Sequence, residues 1–228
     1  FRNGTYPMPL PAGMGVEAAG VVEAIGPDVT NVAVGDRVTY TGFLNTLGAY
    51  STERLIPAAP LIQLPDGIGF ETAAAMTMRG LTSAYLMRRI HPFQAGDTLL
   101  LHAAAGGVGL IVSQWAKLLG ITVIGTVSTD AKAEVARAHG CTHTINYSHE
   151  DVAARVKALT GGQGVDYAFD AFGGAAAISQ AVDSLRKTGT AVMVGLAPVG
   201  ERAPIDMVDL VRNQKTLVGS YYGSGSPH

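Results

Sequence analysis

The chain divides by the spacing of its apolar positions. Over residues 1 to about 64 the segments are short: positions 16–25 alternate loosely, Gly26-Pro27-Asp28 interrupts them, and Gly35-Asp36 precedes a strand at 37–41. This half is expected to be β-rich. From Gly69 onward short apolar runs alternate with segments of helical length. A helix fits 70–90, with Glu71 in its first turn, and must stop before His91-Pro92 because the residue preceding a proline is pushed out of helical geometry. Strands are expected at 98–103, 122–127, 142–145, 165–171, 190–195 and 216–221, with helices between them at 108–119, 130–138, 151–159, 176–185 and 205–212. Near-continuous apolar strands separated by helices imply a parallel sheet covered on both faces, and six of them complete a doubly wound α/β sheet. The expected domains are 1–68, β-rich, and 69–228, α/β.

Composition agrees and narrows the partners. With 47% hydrophobic and 15% charged residues in 228, the chain can bury a large apolar interior. The net charge of −2, with no run of Lys or Arg, leaves no footprint for nucleic acid or an anionic membrane, so small molecules are the expected partners. The single cysteine, Cys141, excludes an internal disulfide and any zinc site built on several thiolates, which is compatible with the cytoplasm. No stretch approaches the roughly 18 apolar residues of a membrane span.

Chemistry concentrates at the first strand-to-helix junction, Ala104-Ala105-Gly106-Gly107-Val108-Gly109. A dinucleotide pyrophosphate needs small residues for close backbone approach, followed by a helix whose N-terminal amides and dipole face the charge. Gly106, Gly107 and Gly109 supply this, with Ala105 and Val108 in the same loop. Alanine at the first position makes the string a degenerate G-x-G-x-x-G, and a glycine-rich turn without a ligand is the alternative. The second strand selects the dinucleotide. An NAD site carries an acid about 20 positions after the loop, which would repel a 2′-phosphate. Ser128 stands at that place, and Lys132, about one turn into the next helix, can neutralise a phosphate, so NADPH is favoured. Two alternatives stay open: Asp130 as the ribose ligand rather than a helix N-cap, and Lys132 as a solvated helix residue.

The strings Gly4-Thr5-Tyr6-Pro7, Gly15-Val16-Glu17-Ala18-Ala19-Gly20, Gly35-Asp36-Arg37-Val38, Gly80-Leu81-Thr82-Ser83-Ala84, His102 through Gly109, and Ile145-Asn146-Tyr147 resemble, in order and spacing, the zinc-free quinone oxidoreductases similar to zeta-crystallin, within the medium-chain dehydrogenase/reductase superfamily. The resemblance implies a Rossmann sheet beside a partial GroES-like β-rich domain, with the chain truncated at both ends relative to the family. Beyond Gly174 the match loosens toward the zinc alcohol dehydrogenase branch.

By the same resemblance Thr82 and Gly195 border the nicotinamide, Tyr147 lies against the cofactor near Lys132, and Tyr6 stands at the substrate mouth, where its hydroxyl would donate to a quinone oxygen. A turn tyrosine beside Pro7 is the structural alternative. Zinc-dependent relatives carry histidine where Val16 stands, and valine cannot ligate a metal. Glu17 and Asp36 are assigned to structural turns. The resemblance further implies a homodimer formed through the last sheet strand. Three functions follow: NADPH-dependent quinone reduction by hydride transfer without zinc; reduction of an enoyl thioester or enone; and NADPH binding without turnover.

Overall fold

The computed structural model describes residues 11–42 and 47–220. Two compact units divide within one helix, between Leu81 and Thr82. In the first, strands β1 (Glu17–Val21), β2 (Arg37–Thr41) and β3 (Ile62–Gln63) form an antiparallel sheet in that order. Val32, Val38, Tyr40 and Leu61 make its small core. Helix α1 (Phe70–Tyr85) widens at its end into a π-helical turn, Leu86–Ile90, so the expected helix at 70–90 exists in two geometries. Leu86 and Met87 of that turn are buried. His91, ahead of Pro92, is extended (φ −149°, ψ 137°), as the proline requires.

The second unit alternates β4 (Thr98–Leu101), α2 (Gly107–Leu118), β5 (Thr122–Val127), α3 (Asp130–Ala138), β6 (His143–Asn146), α4 (Val152–Leu159), β7 (Val165–Asp170), α5 (Ala175–Asp183), β8 (Leu185–Met193), α6 (Met207–Arg212) and β9 (Thr216–Gly219). The six strands lie parallel in the order β6-β5-β4-β7-β8-β9. Strand order reverses between β4 and β7, which opens a crevice at their carboxyl ends.

Strand alternation explains the unbroken apolar runs. Leu99, Leu101, Val123, Phe169 and Val192 share one core with Val112 and Ala116 of α2 and Ala133 and Ala136 of α3. Leu100, Ile124, Ala168 and Ala191 face the other way, against Val152 and Val156 of α4 and Ala181 and Val182 of α5. The four inner strands β4, β5, β7 and β8 therefore bury both faces, the condition of a doubly wound sheet.

One strand boundary differs from expectation by several residues. β8 begins at Leu185 rather than 190, and α5 ends at Asp183 rather than 185. Val165 pairs with Leu185, but Tyr167 pairs with Thr190, so the register shifts across the polar stretch between them. Thr188 there is left-handed (φ 64°) and donates its N–H to Asn213 O at 2.8 Å.

Candidate functional site

The loop after β4 is fastened to both neighbouring strands. His102 N donates to Phe169 O of β7 (2.9 Å), and Ala104 N donates to Thr126 O of β5 (3.1 Å). Between them Ala103 is left-handed (φ 54°), a conformation that disfavours a Cβ by about 1–2 kcal/mol. Ala103→Gly is accordingly expected to raise stability by about 0.5–1 kcal/mol after the greater backbone entropy of glycine is deducted. The denaturation midpoint should rise, and a lower one would show that the strain is absent.

Gly106 is extended (φ −84°, ψ 172°) and precedes α2 without any side-chain cap, whereas Thr129, Asp151 and Asp206 cap α3, α4 and α6. No acidic residue stands in the first turn of α2. Its leading amides and positive dipole end are thus available to an anion. Gly106 and Gly107 are exposed, while Ala105 and Val108 are partly buried against the core. Gly109 is buried, and a Cβ on it would stand 2.6 Å from both Ala103 O and Ala104 O. Only glycine lets α2 approach β4 this closely, which gives the loop the shape of a pyrophosphate cradle.

At the end of β5, Lys132 Nζ donates to Ser128 Oγ at 3.1 Å, and Ser148 Oγ donates to Ser128 O at 3.0 Å. Ser128 and Lys132 are therefore together, with Ser148 as a third member that the sequence reading did not include. Tyr147, about half exposed, is tied beside them by its N–H to Val127 O (3.1 Å). The N-cap role considered for Asp130 is corrected: Thr129 Oγ1 caps α3 by accepting from Lys132 N (3.3 Å), and Asp130 occupies the first turn. Its carboxylate accepts from Asn146 Nδ2 at 2.9 Å.

Across the strand-order reversal, Asp170 organises the end of β7. Its Oδ1 accepts from Phe172 N and Gly173 N, both at 2.9 Å, and its backbone oxygen accepts from Val194 N (2.9 Å) and Gly195 N (2.8 Å). Gly195 meets that turn backbone to backbone: a Cβ on it would lie 2.1 Å from Gly173 N. Asp170 was not singled out by sequence; its signal is a carboxylate that closes an apolar strand ahead of Gly173-Gly174. His102 is buried with Nδ1 2.9 Å from Thr126 Oγ1. Burial pushes its pKa down to about 4, against a smaller opposing pull from the Asp170 carboxylate, so the imidazole is neutral at pH 7.

Thr82 lies in α1, partly buried. Tyr6 falls outside the described residues. Glu17 accepts from Met78 N (2.9 Å), and Asp36 Oδ2 accepts from Ala33 N (2.8 Å) and Gln63 Nε2 (3.3 Å), so both carboxylates serve local structure. Among the described residues no three His, Cys, Asp or Glu side chains are grouped to hold a metal, and no helix is long and apolar enough to cross a membrane.

A glycine cradle at the strand-order reversal of a doubly wound parallel sheet defines a dinucleotide-binding fold of dehydrogenase type. The family model described as zinc-binding dehydrogenase matches residues 107–228, and that of the alcohol dehydrogenase GroES-like domain matches residues 1–66. The chain belongs to the quinone oxidoreductase family of the medium-chain dehydrogenase/reductase superfamily. It is 52% identical over 174 residues to a quinone oxidoreductase of Pseudomonas aeruginosa, covering 76% of this chain and 53% of that protein. It is 46% identical over 216 residues to a 2-haloacrylate reductase of a Burkholderia species, covering 92% and 64%. Among solved structures, Escherichia coli quinone oxidoreductase complexed with NADPH superposes with a TM-score of 0.88 at 39% identity, covering 97% of this chain and 67% of that one. The chain thus spans between about half and two thirds of the length of these curated relatives.

Proposed function

We propose that this chain binds NADPH and serves the reduction of quinones or similar conjugated carbonyls by hydride transfer without zinc. The observation that carries the reading is the pairing of an uncapped glycine cradle at α2 with Ser128 and Lys132 at the end of β5. The cradle fits a dinucleotide because the exposed Gly106 and Gly107 leave the α2 amides open while Gly109 lets the helix pack close behind them, and the pair fits a 2′-phosphate because it offers a hydroxyl and a cation where an NAD site has an acid. The similar Escherichia coli structure holds NADPH.

Bound NADPH supplies the hydride. The chain's own residues bind and orient: Gly106, Gly107, Val108 and Gly109 present the α2 amides to the pyrophosphate, Ala105 lines the loop, Ser128 and Lys132 hold the 2′-phosphate, and Tyr147 covers that end. Thr82 and Gly195 border the nicotinamide, and Tyr6 donates to the carbonyl oxygen of the substrate; these three roles rest on the family resemblance. Zinc independence is supported by Val16 and by Cys141, which is buried beside Ser113 Oγ at 3.5 Å. A cytoplasmic setting suits this reductant and a lone cysteine.

Mixing the protein with NADPH and a benzoquinone is expected to consume NADPH, followed by its near-ultraviolet absorbance, in buffer containing a chelator. Binding without consumption by the full-length protein would leave a dinucleotide-binding role alone. The 46% identity to a 2-haloacrylate reductase favours one second reading, reduction of a conjugated carbon–carbon double bond. Faster turnover of an enone or enoyl thioester than of the quinone would select it.

Lys132→Ala is expected to weaken NADPH about tenfold while leaving NADH within about twofold, because a charge-assisted bond to phosphate is lost, while the exposed bond to Ser128 Oγ that goes with it concerns neither the pyrophosphate nor the ribose hydroxyl. Titration by nicotinamide fluorescence reads both, and equal losses would remove Lys132 from the 2′-phosphate. β9 forms one edge of the six-stranded sheet, and we propose association of two copies through it. Sedimentation is expected to give a dimer that a proline within Thr216–Gly219 converts to monomer.

A further inference from the structure

We infer that Asn146 is a specificity-determining residue for the dinucleotide, acting by holding the Asp130 carboxylate out of the 2′-phosphate site. The inference rests on the NADPH reading above and adds to it a residue that does not itself touch the cofactor.

The geometry is specific. Asn146 is the last residue of β6 and pairs with Val127, the last of β5, so its side chain stands beside the strand end where Ser128 begins the phosphate site. The residue is 9% exposed and both ends of its amide are engaged. Nδ2 donates to Asp130 Oδ1 at 2.9 Å, and Oδ1 accepts from Ser148 N at 3.2 Å. The second bond fixes which end of the amide faces Asp130, because a flipped amide would aim an N–H at the Ser148 N–H. The backbone N–H of Asn146 is held in turn by Glu150 Oε1 at 3.0 Å, and Glu150 is paired with Arg155. Asn146 thus stands fixed on three sides and offers Asp130 a donor.

Asp130 needs such a tether. It lies between Ser128 and Lys132, in the first turn of α3, where its carboxylate is two residues from either member of the phosphate pair. Released, it has two courses open. It can pair with the Lys132 ammonium, which removes the cation from the phosphate, or remain free and repel the phosphate directly. Each weakens NADPH and neither weakens NADH, whose ribose hydroxyl welcomes an acid. Asn146 therefore converts an acidic residue near the ribose, a feature of NAD sites, into one compatible with a 2′-phosphate.

The test is a double-mutant cycle read by equilibrium titration of NADPH and NADH, with thermal melting of every variant. Asn146→Leu, with the same branching but without a donor, is expected to weaken NADPH about tenfold and to leave NADH unchanged or tighter. Asp130→Asn alone is expected to leave NADPH within about twofold. Asn146→Leu combined with Asp130→Asn is expected to recover NADPH binding, because the charge that Asn146 restrains is gone. If Asn146→Leu weakens both dinucleotides equally, or if the double variant fails to recover NADPH, the inference is overturned. If Asn146→Leu does not fold, Asn146→Ser in the same cycle decides by the same criterion. A wild-type protein that binds NADPH no tighter than NADH overturns the underlying cofactor reading as well, an outcome distinct from a clear NADPH preference that Asn146 does not influence.

Discussion

Gly109→Ala is expected to lower stability by an amount on the order of 3 kcal/mol and to weaken NADPH on the order of 100-fold. The added Cβ would stand 2.6 Å from Ala103 O and from Ala104 O, and 2.7 Å from Ala104 C. None of these atoms is free to give way, since Ala103 O accepts from Gly106 N (2.8 Å) and Ala104 N is bonded to Thr126 O (3.1 Å). Relief requires α2 to withdraw from β4, and α2 carries the fully buried Val112 and Ala116 into the core beside Leu99 and Leu101. The amides proposed to meet the pyrophosphate move with the helix, so binding and stability are expected to fall together. Gly67→Ala supplies the control, because nothing lies within 4 Å of a Cβ there. Denaturant midpoints and NADPH titration measure both effects. A Gly109→Ala protein that binds NADPH as tightly as wild type would sink the cradle assignment.

Such close approaches mark what a sequence can and cannot disclose. The sheet was legible because Leu99-Leu100-Leu101 and its counterparts bury alternate residues against helices on opposite faces, which leaves runs without polar interruption. The tight turn behind the proposed cradle was legible because steric demands at Gly106 and Gly109 are local. The start of β8 was not, since its polar stretch around Thr188 belongs to a register shift that only pairing with β7 creates. The π-helical turn at Leu86–Ile90 has no local signature either; the burial of Leu86 and Met87 accompanies it. At the site, Ser128 and Lys132 share one strand end and one helical turn, so spacing alone joined them. Asn146 and Asp130 are 16 positions apart and meet through the parallel pairing of β5 and β6. Asp170 serves the site through Gly195, far along the chain. Residues that act through neighbouring parallel strands are separated by whole βα units, beyond the reach of any local pattern.

The second large effect is acid lability centred on His102. The residue is 3% exposed at the carboxyl end of β4, and burial holds its folded pKa at about 4 against an ordinary 6.5. Below 6.5 the unfolded chain takes a proton on this histidine while the folded one does not, so unfolding becomes more favourable as pH falls. The contribution is fully present above 6.5, declines from there down to about 4, and is then exhausted, amounting to a loss on the order of 3 kcal/mol. Carboxylates add their own acid sensitivity, so the histidine is isolated by comparison with a variant. His102→Gln keeps an amide within reach of Thr126 Oγ1 and removes the titration. Urea midpoints of both proteins, measured at intervals from neutral pH to about pH 4, are expected to converge as pH falls, with the wild type losing about 3 kcal/mol more than the variant. The candidate site shares this fate: His102 bonds to Thr126 of β5 and lies near Asp170 of β7, so protonation strikes the three strand ends that carry the proposed cradle, the proposed phosphate pair and the turn against Gly195. NADPH affinity is therefore expected to fall over the same interval in the wild type and to be flatter in His102→Gln. Parallel stability curves for the two proteins would show that His102 is not the buried neutral group described.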